Sequence, residues 1–212
     1  EGEFLQKRSQ GSLGNKAETT QEAPADEFEE QMKQLITQTK TTWADVAGMA
    51  DTKAAIKLAY FETLAKKPPS VEIHGARGIL LYGPPGTGKT LLAAATAGSL
   101  DSTFFNVKAS DMLSKWFGES TQKVSALFRA ARKFSPAVIF MDEIEALAIS
   151  RSEHSNSANL QIVSTLLNEL DGIDFKERDQ FVLSIGATNV PWMLDTAILR
   201  RFPKRIYVPL PD

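Results

Sequence analysis

The chain has 212 residues, 42% apolar and 24% charged, with a net charge of -2; these are the proportions of a soluble globular protein, and they lack the basic footprint of a nucleic-acid binder. It has no cysteine and two histidines, His74 and His154, which excludes disulfides, thiolate metal sites and a histidine metal cage and suits a reducing compartment. No apolar run approaches the roughly 18 residues of a membrane span, so the expectation is a cytoplasmic protein with no direct nucleic-acid contact and only indirect membrane contact.

The opening EGEFLQKRSQ is not a secretory signal, and the missing initiator Met leads us to expect a fragment or a processed chain. Residues 1–24 are polar and without periodicity, the composition of a disordered linker. In ADEFEEQMKQLITQTK, Phe28, Met32, Leu35 and Ile36 fall at i, i+4, i+7 and i+8. This spacing predicts a short amphipathic helix near 26–38, docked on the following domain or presented to a partner. Residues 1–40 therefore read as a polar tail or linker, and 41–212 as the folded domain.

From Trp43 onward helix and strand signals alternate. MADTKAAIKLAYFETLAKK reads as a helix ended by Pro68-Pro69. GILLYG, TFFNVKA, AVIFM, FVLSIGAT and RIYVPL read as strands. TLLAAATAGSL, STQKVSALFRAARKF and NLQIVSTLLNEL read as helices between them, the second with a stripe of Val124, Leu127, Phe128 and Ala131. Five strands with intervening helices imply an α/β fold with a five-stranded parallel sheet and helices on both faces.

Between the first strand and its helix lies Gly83-x-x-x-x-Gly88-Lys89-Thr90, the phosphate-loop pattern in its required context. Glycines let backbone N–H groups curl around an anion, and the helix N-terminus adds its dipole. Pro85, Gly86, Thr87 and Gly88 would form the cradle, with Lys89, Thr90 and Leu91 opening the helix. Lys89 would reach the β- and γ-phosphates and Thr90 would ligate Mg²⁺, so ATP and Mg²⁺ are the expected cofactors.

The stretch AVIFMDEIEAL ends a strand on Asp142-Glu143, where open α/β sheets place their ligands. Asp142 fits a second Mg²⁺-holding position, and Glu143 the role of polarising the attacking water. Glu145 reads as a structural or helix-start residue, because one base suffices. FVLSIGATNVPWMLD ends another strand on Thr188-Asn189. Asn189 is either a turn former or an amide that holds the attacking water or touches the γ-phosphate. Arg200 and Arg201 near a helix end either complement the helix dipole or neutralise transition-state charge on a neighbouring subunit.

The set WADVAGM, GPPGTGKT, FMDEIEAL, GATNVPWMLD and LRRFPKRIYVPLPD, spanning residues 41–212, resembles the AAA ATPases. Within them it is similar to the meiotic clade of katanin, spastin and fidgetin. It lies closest to the vacuolar-sorting ATPase that disassembles ESCRT-III polymers and to its archaeal cell-division relative, CdvC. The resemblance implies the large AAA subdomain of a P-loop NTPase, a homo-hexameric ring with ATP at each subunit interface, and ESCRT-III-like polypeptides drawn through a central pore. Carried over residue by residue, Lys89 and Thr90 become the Walker A pair, Asp142 and Glu143 the Walker B pair, Asn189 sensor 1, and Arg200 and Arg201 the arginine fingers. Asp45, Val46, Ala47 and Gly48 match the segment lining the adenine pocket. Asp171-Gly172 is either a plain turn or part of a path between subunits.

SKWFGES sits where the family places its first pore loop. Adjacent residues cannot share one face of an element, so the two rings have separate jobs. Trp116 is expected to grip substrate, Phe117 to pack beneath the loop, and Lys115 to place a charge near the pore. Two departures stand out. The Walker B tail reads DEIEAL where many relatives have DEIDAL. The sequence ends at PLPD, where the family joins a helical lid, so with that lid absent weak nucleotide binding and poor assembly are expected of these 212 residues. The rival motor reading is microtubule severing, which favours basic pore loops. The second candidate loop, SRSEHSNSAN, carries one Arg and one Glu, with His154 read as solvated, and argues modestly against it. A nucleotide-switched scaffold is disfavoured by Glu143 and the arginine pair, and a nucleic-acid motor by the acidic balance.

Overall fold

The computed structural model describes residues 30–64, 78–114, 120–149, 157–172 and 180–210. Five strands, β1 (Gly78–Tyr82), β2 (Thr103–Lys108), β3 (Ala137–Asp142), β4 (Val182–Thr188) and β5 (Lys204–Tyr207), form one parallel sheet in the order β2-β3-β4-β1-β5. All seven residues of β4 are buried, as are the first five of β3. Central parallel strands covered on both faces need such unbroken apolar runs, and VLSIGAT and AVIFM supply them.

Side-chain alternation along the strands builds two cores. Ile79, Leu81, Phe104, Val138, Phe140, Leu183 and Ile185 face one layer, packed by α1 (Ala50–Leu64) and α2 (Lys89–Ser99). Leu80, Phe105, Ile139 and Met141 face the other. There they meet α3 (Ala109–Ser114), α4 (Ser120–Lys133), α5 (Glu145–Ile149), α6 (Ser157–Gly172) and α7 (Thr196–Arg201). The expected stripe on α4 is buried throughout, and α6 buries Ile162, Val163, Leu166, Leu167 and Leu170 at helical spacing. Three short helices, α3, α5 and α7, are too brief to show a period. Among the described residues no helix is long and apolar enough to cross a membrane.

The segment before Trp43 departs from the sequence reading. Helix covers residues 30–33, but 34–38 are not helical. Ile36 instead makes an antiparallel bridge to Phe105, Thr37 N–H donates to Phe104 C=O at 2.8 Å, and Asn106 N–H donates to Leu35 C=O at 3.1 Å. The reason is the sheet order. β2 is an edge strand, and its outer backbone groups need partners that the segment provides. Met32 is buried in the second of these cores, the one of α4 and α6, with Leu35 and Ile36 packed against it.

The chain then crosses the sheet edge to the opposite layer. The Thr41 carbonyl oxygen lies so close to Gly98 of α2 that any side chain there would collide with it. Trp43 N–H donates to Ser99 Oγ at 2.8 Å, its indole N–H to Thr96 Oγ1 at 3.3 Å, and Lys57 Nζ lies 4.7 Å from the ring centre. Residues 32–43 are thus a strap belonging to the folded body, and the expected boundary at 40/41 falls inside it. The remaining tail, including Phe28, lies outside the described residues.

Candidate nucleotide site

β1 runs into the loop Gly83–Gly88 and out into α2. Gly86 and Gly88 have φ of 78° and 82°. In this left-handed region a Cβ is disfavoured, and successive N–H groups can turn toward one point. Gly88 caps α2 with no side-chain acceptor, leaving the first-turn amides available to an anion. Pro85, Gly86 and Thr90 are exposed, Thr87 is buried, and Leu91 is 46% exposed. Lys89 is only 7% exposed. Its ammonium donates to Gly83 C=O at 2.9 Å, Pro84 C=O at 2.7 Å and Thr87 Oγ1 at 3.3 Å. Burial pushes its pKa below the usual lysine range, and the nearby charges of Asp142 and Glu145 pull it partly back.

The end of β3 faces this loop. Thr90 Oγ1 donates to Asp142 Oδ2 at 3.5 Å, and Asp142 Oδ1 accepts from Glu143 N–H at 2.9 Å. Glu143 has φ of 54°. A non-glycine residue in this conformation is strained and needs its surroundings to hold it. Ile144 does so on one side, buried and donating its N–H to Ala187 C=O at 3.1 Å. On the other, Ser110 Oγ donates to Glu143 Oε2 at 3.2 Å and Lys108 Nζ lies 3.5 Å from Oε1. Ser110 and Lys108 were absent from the sequence reading. Their one available signal was position at the end of a strand, and only the β2–β3 pairing, with Lys108 beside Asp142, gives that meaning.

Asn189 follows β4, which lies between β1 and β3. Its predecessor Thr188 accepts Gly83 N–H on its carbonyl at 3.3 Å. Asn189 is therefore next to the phosphate loop and between that loop and the acidic turn, with its side chain half-buried.

A cleft of about 380 Å³ opens between residues 47–52 and Pro209-Leu210. Val208 N–H donates to Tyr82 C=O at 2.8 Å, which ties this cleft to the mouth of the phosphate loop. Ala47 and Gly48 line it, joined by Met49, Asp51 and Thr52. Asp45 and Val46 do not. Val46 is buried in the core, and its carbonyl accepts from Lys53 Nζ. Asp45 is exposed and caps the turn through Thr42 N–H at 2.7 Å and Thr42 Oγ1 at 2.9 Å, bonds that lower its pKa.

For a metal, Thr90 and Asp142 supply two hard oxygens on adjacent elements. No group of three or more His, Cys, Asp or Glu able to hold an ion occurs among the described residues. Mg²⁺ fits such a site, because it is bound through one or two protein oxygens with phosphates and water completing the shell.

The family model for the ATPase family associated with various cellular activities (AAA) matches residues 79–210. The chain belongs to the AAA ATPases. It is 44% identical over 186 residues to vacuolar protein sorting-associated protein 4B of Mus musculus, covering 84% of this chain and 40% of that one. It is 42% identical over 178 residues to cell division protein C of Sulfolobus acidocaldarius, covering 82% and 47%. The crystal structure of the FIGL-1 AAA domain in complex with ADP superposes with a TM-score of 0.73 at 36% identity, over 88% of this chain and 62% of that one. These similarities agree with the meiotic-clade resemblance read from the motifs. The chain spans less than half the length of these two curated relatives.

In this AAA domain the two candidate finger arginines differ. Arg200 is exposed. The side chain of Arg201 is 14% exposed, donates to Ala197 C=O at 3.1 Å and pairs with Asp171 of α6. Asp171 is thus no plain turn residue; it anchors α7 to α6. Lys115, Trp116 and Phe117 lie outside the described residues, as do His74, His154 and residues 150–156 of the second loop.

Proposed function

We propose that this domain binds Mg-ATP and hydrolyses it, as the motor of a ring that dismantles ESCRT-III-like filaments. The observation that carries the reading is the meeting of Thr90, Asp142 and Glu143 beside a glycine loop whose helix-start amides lack a capping side chain. Gly86, Gly88 and the start of α2 receive the phosphates. Lys89 leaves the loop carbonyls for the β- and γ-phosphate oxygens. Thr90 and Asp142 hold Mg²⁺, which would neutralise charge on those phosphates. Glu143, released from Ser110 and Lys108, takes a proton from the attacking water, and Asn189 orients that water. Ala47 and Gly48 seat the base. The ADP complex of the similar FIGL-1 domain supports an adenine nucleotide as ligand.

The ring, Arg200 acting on the next subunit's nucleotide, Arg201 behind it, and the pulling of polypeptide by Lys115, Trp116 and Phe117 come from the family resemblance. The filament substrate is supported by relatives named for vacuolar sorting and for cell division. In the full protein, Lys89→Ala is expected to abolish ATP binding in calorimetry. Glu143→Gln is expected to keep binding while hydrolysis falls at least ~100-fold, the lower range of a general-base contribution. Wild-type turnover by Glu143→Gln would refute the base assignment. Pulldown with that variant is expected to recover ESCRT-III-like helical proteins; recovery of tubulin instead would support severing.

A further inference from the structure

β2 carries the two side chains that face Glu143 to the acidic turn. Lys108 is its last residue, and Ser110 follows in the first turn of α3. Their reach to Glu143 depends on how β2 lies against β3, because Glu143 continues directly from β3 and Lys108 stands level with Asp142. One side of β2 is paired with β3 along its whole length. The backbone on the other side is bonded, among the described residues, by the strap alone. Thr37 N–H donates to Phe104 C=O and Asn106 N–H to Leu35 C=O, around the Ile36–Phe105 bridge. A sheet edge held by so few bonds opens at far lower cost than the sheet itself.

The bridge is antiparallel, so the strap runs against β2. Residues before Ile36 therefore lie toward the end of β2, the end that carries Lys108 and leads into α3. Met32 joins the same core as Val107, Ala109 and Met112, which flank Lys108 and Ser110 in the chain. The two ends of the strap are held unequally. At its C-terminal end Trp43 donates to Ser99 and Thr96, and Thr41 closes on Gly98, all within α2. At its N-terminal end the hold is the packing of Met32, Leu35 and Ile36 and the two backbone bonds. Protection of an exposed edge would be served by a cover anywhere along β2. It gives no reason to seat the weaker end beside the residues that restrain Glu143.

We infer, resting on the nucleotide reading above, that the strap is a control element for hydrolysis: its seat on β2 sets how firmly Lys108 and Ser110 hold Glu143. With the strap seated, β2 is clamped between it and β3, and the two side chains stay within reach of the carboxylate. With the strap loosened, the end of β2 and the start of α3 gain freedom, and the base is released more often. The strap is the two-state element, seated or open, that such a coupling requires. Its weaker end is also where the chain before residue 30 joins the folded body. A pull on that chain, or a partner that binds it, thereby acts on the rate of hydrolysis without touching the nucleotide.

The test loosens the strap in two ways in the full protein, by Thr37→Pro, which removes a backbone donor, and by Met32→Ala, which removes packing alone. Basal ATP turnover, ADP affinity and hydrogen exchange of the Asn106 amide are measured for each, well below its thermal midpoint. Both variants are expected to speed Asn106 exchange and to raise turnover about three- to tenfold, the factor carried by one ordinary hydrogen bond. ADP affinity is expected to stay unchanged. In a Ser110→Ala, Lys108→Ala background neither is expected to raise turnover further, because no restraint is left to loosen. Unchanged Asn106 exchange in both variants, faster exchange with unchanged or lower turnover, or a rise that persists in full in that background overturns the inference and leaves the nucleotide site standing. Wild-type turnover by Glu143→Gln overturns the base assignment and the inference together.

Discussion

Glu143 illustrates how one residue can be held ready and restrained at once. Its left-handed backbone costs on the order of 1–2 kcal/mol, and the Ile144–Ala187 bond and buried Ile144 side chain hold it there. Its carboxylate is occupied by Ser110 and faced by Lys108. A hydrogen bond to a charged group contributes about 1.5–3 kcal/mol, so in the proposed mechanism releasing Glu143 from Ser110 requires work. Ser110→Ala removes part of that restraint. Basal ATP hydrolysis is expected to rise by about three- to tenfold, with nucleotide affinity unchanged, when turnover and binding are measured in parallel. A fall in turnover would show instead that Ser110 aligns the base. Asp142, Glu143 and Lys89 were legible in the sequence because motif spacing encodes local geometry. Ser110 and Lys108 were not, because their partner lies more than thirty residues away on a neighbouring strand. Asp45 and Val46 show the reverse limit of a motif. They belong to a recognisable segment, but capping and burial take their side chains away from the cleft that Ala47 and Gly48 line.

Among the elements, the strap is the clearest case of a pattern with two solutions. Apolar residues at Met32, Leu35 and Ile36 fit a helix, and the first turn is helical. A free strand edge then competes for the following backbone, and pairing with β2 satisfies groups that a continued helix would leave exposed on that strand. Short helix α3 has no counterpart in the sequence reading, and α5 and α7 show there only as a helix start at Glu145 and a helix end at Arg200-Arg201, for a related reason: five or six residues complete too few turns to display a period. The long helices and all five strands were legible because their apolar spacing extends over whole elements. Thr37→Pro removes the donor to Phe104. The expected loss is about 1–3 kcal/mol from that hydrogen bond and from loosened packing of Met32 and Ile36. Thermal denaturation should show a midpoint lower by roughly 3–10 °C for a chain of this size. An unchanged midpoint would mean the strap contributes nothing to the fold.

At the scale of the whole molecule, the decisive feature is the sheet order. It brings the ends of β1, β3 and β4 together, so that the phosphate loop, the acidic turn and Asn189 converge although they are far apart in the chain. It also leaves α7 packed against α6, with Arg201 tied to Asp171 and Arg200 exposed. An exposed arginine can serve a neighbouring subunit without first breaking an ion pair, so Arg200 is the better candidate for action in trans. Arg200→Ala in the assembled protein is expected to lower turnover about 10³-fold, the lower range for loss of an arginine finger. Mixing it with Glu143→Gln is expected to restore part of the activity, since one interface then combines an intact base with an intact arginine. No recovery in mixed rings that are shown to form would refute action in trans.

The sequence by itself determined the phosphate loop, the acidic pair, the strand count, the two-faced burial and the family, because each is written in local composition, spacing or a contiguous motif. The tertiary structure alone decided which strands are neighbours, that residues 32–43 close the edge of β2, and that Ser110 and Lys108 restrain Glu143. It also decided that Asp171 engages Arg201. All of these depend on contacts between distant parts of the chain. Such contacts are chosen by the competition to satisfy edge strands, buried charges and apolar faces together, and no window of sequence contains that competition.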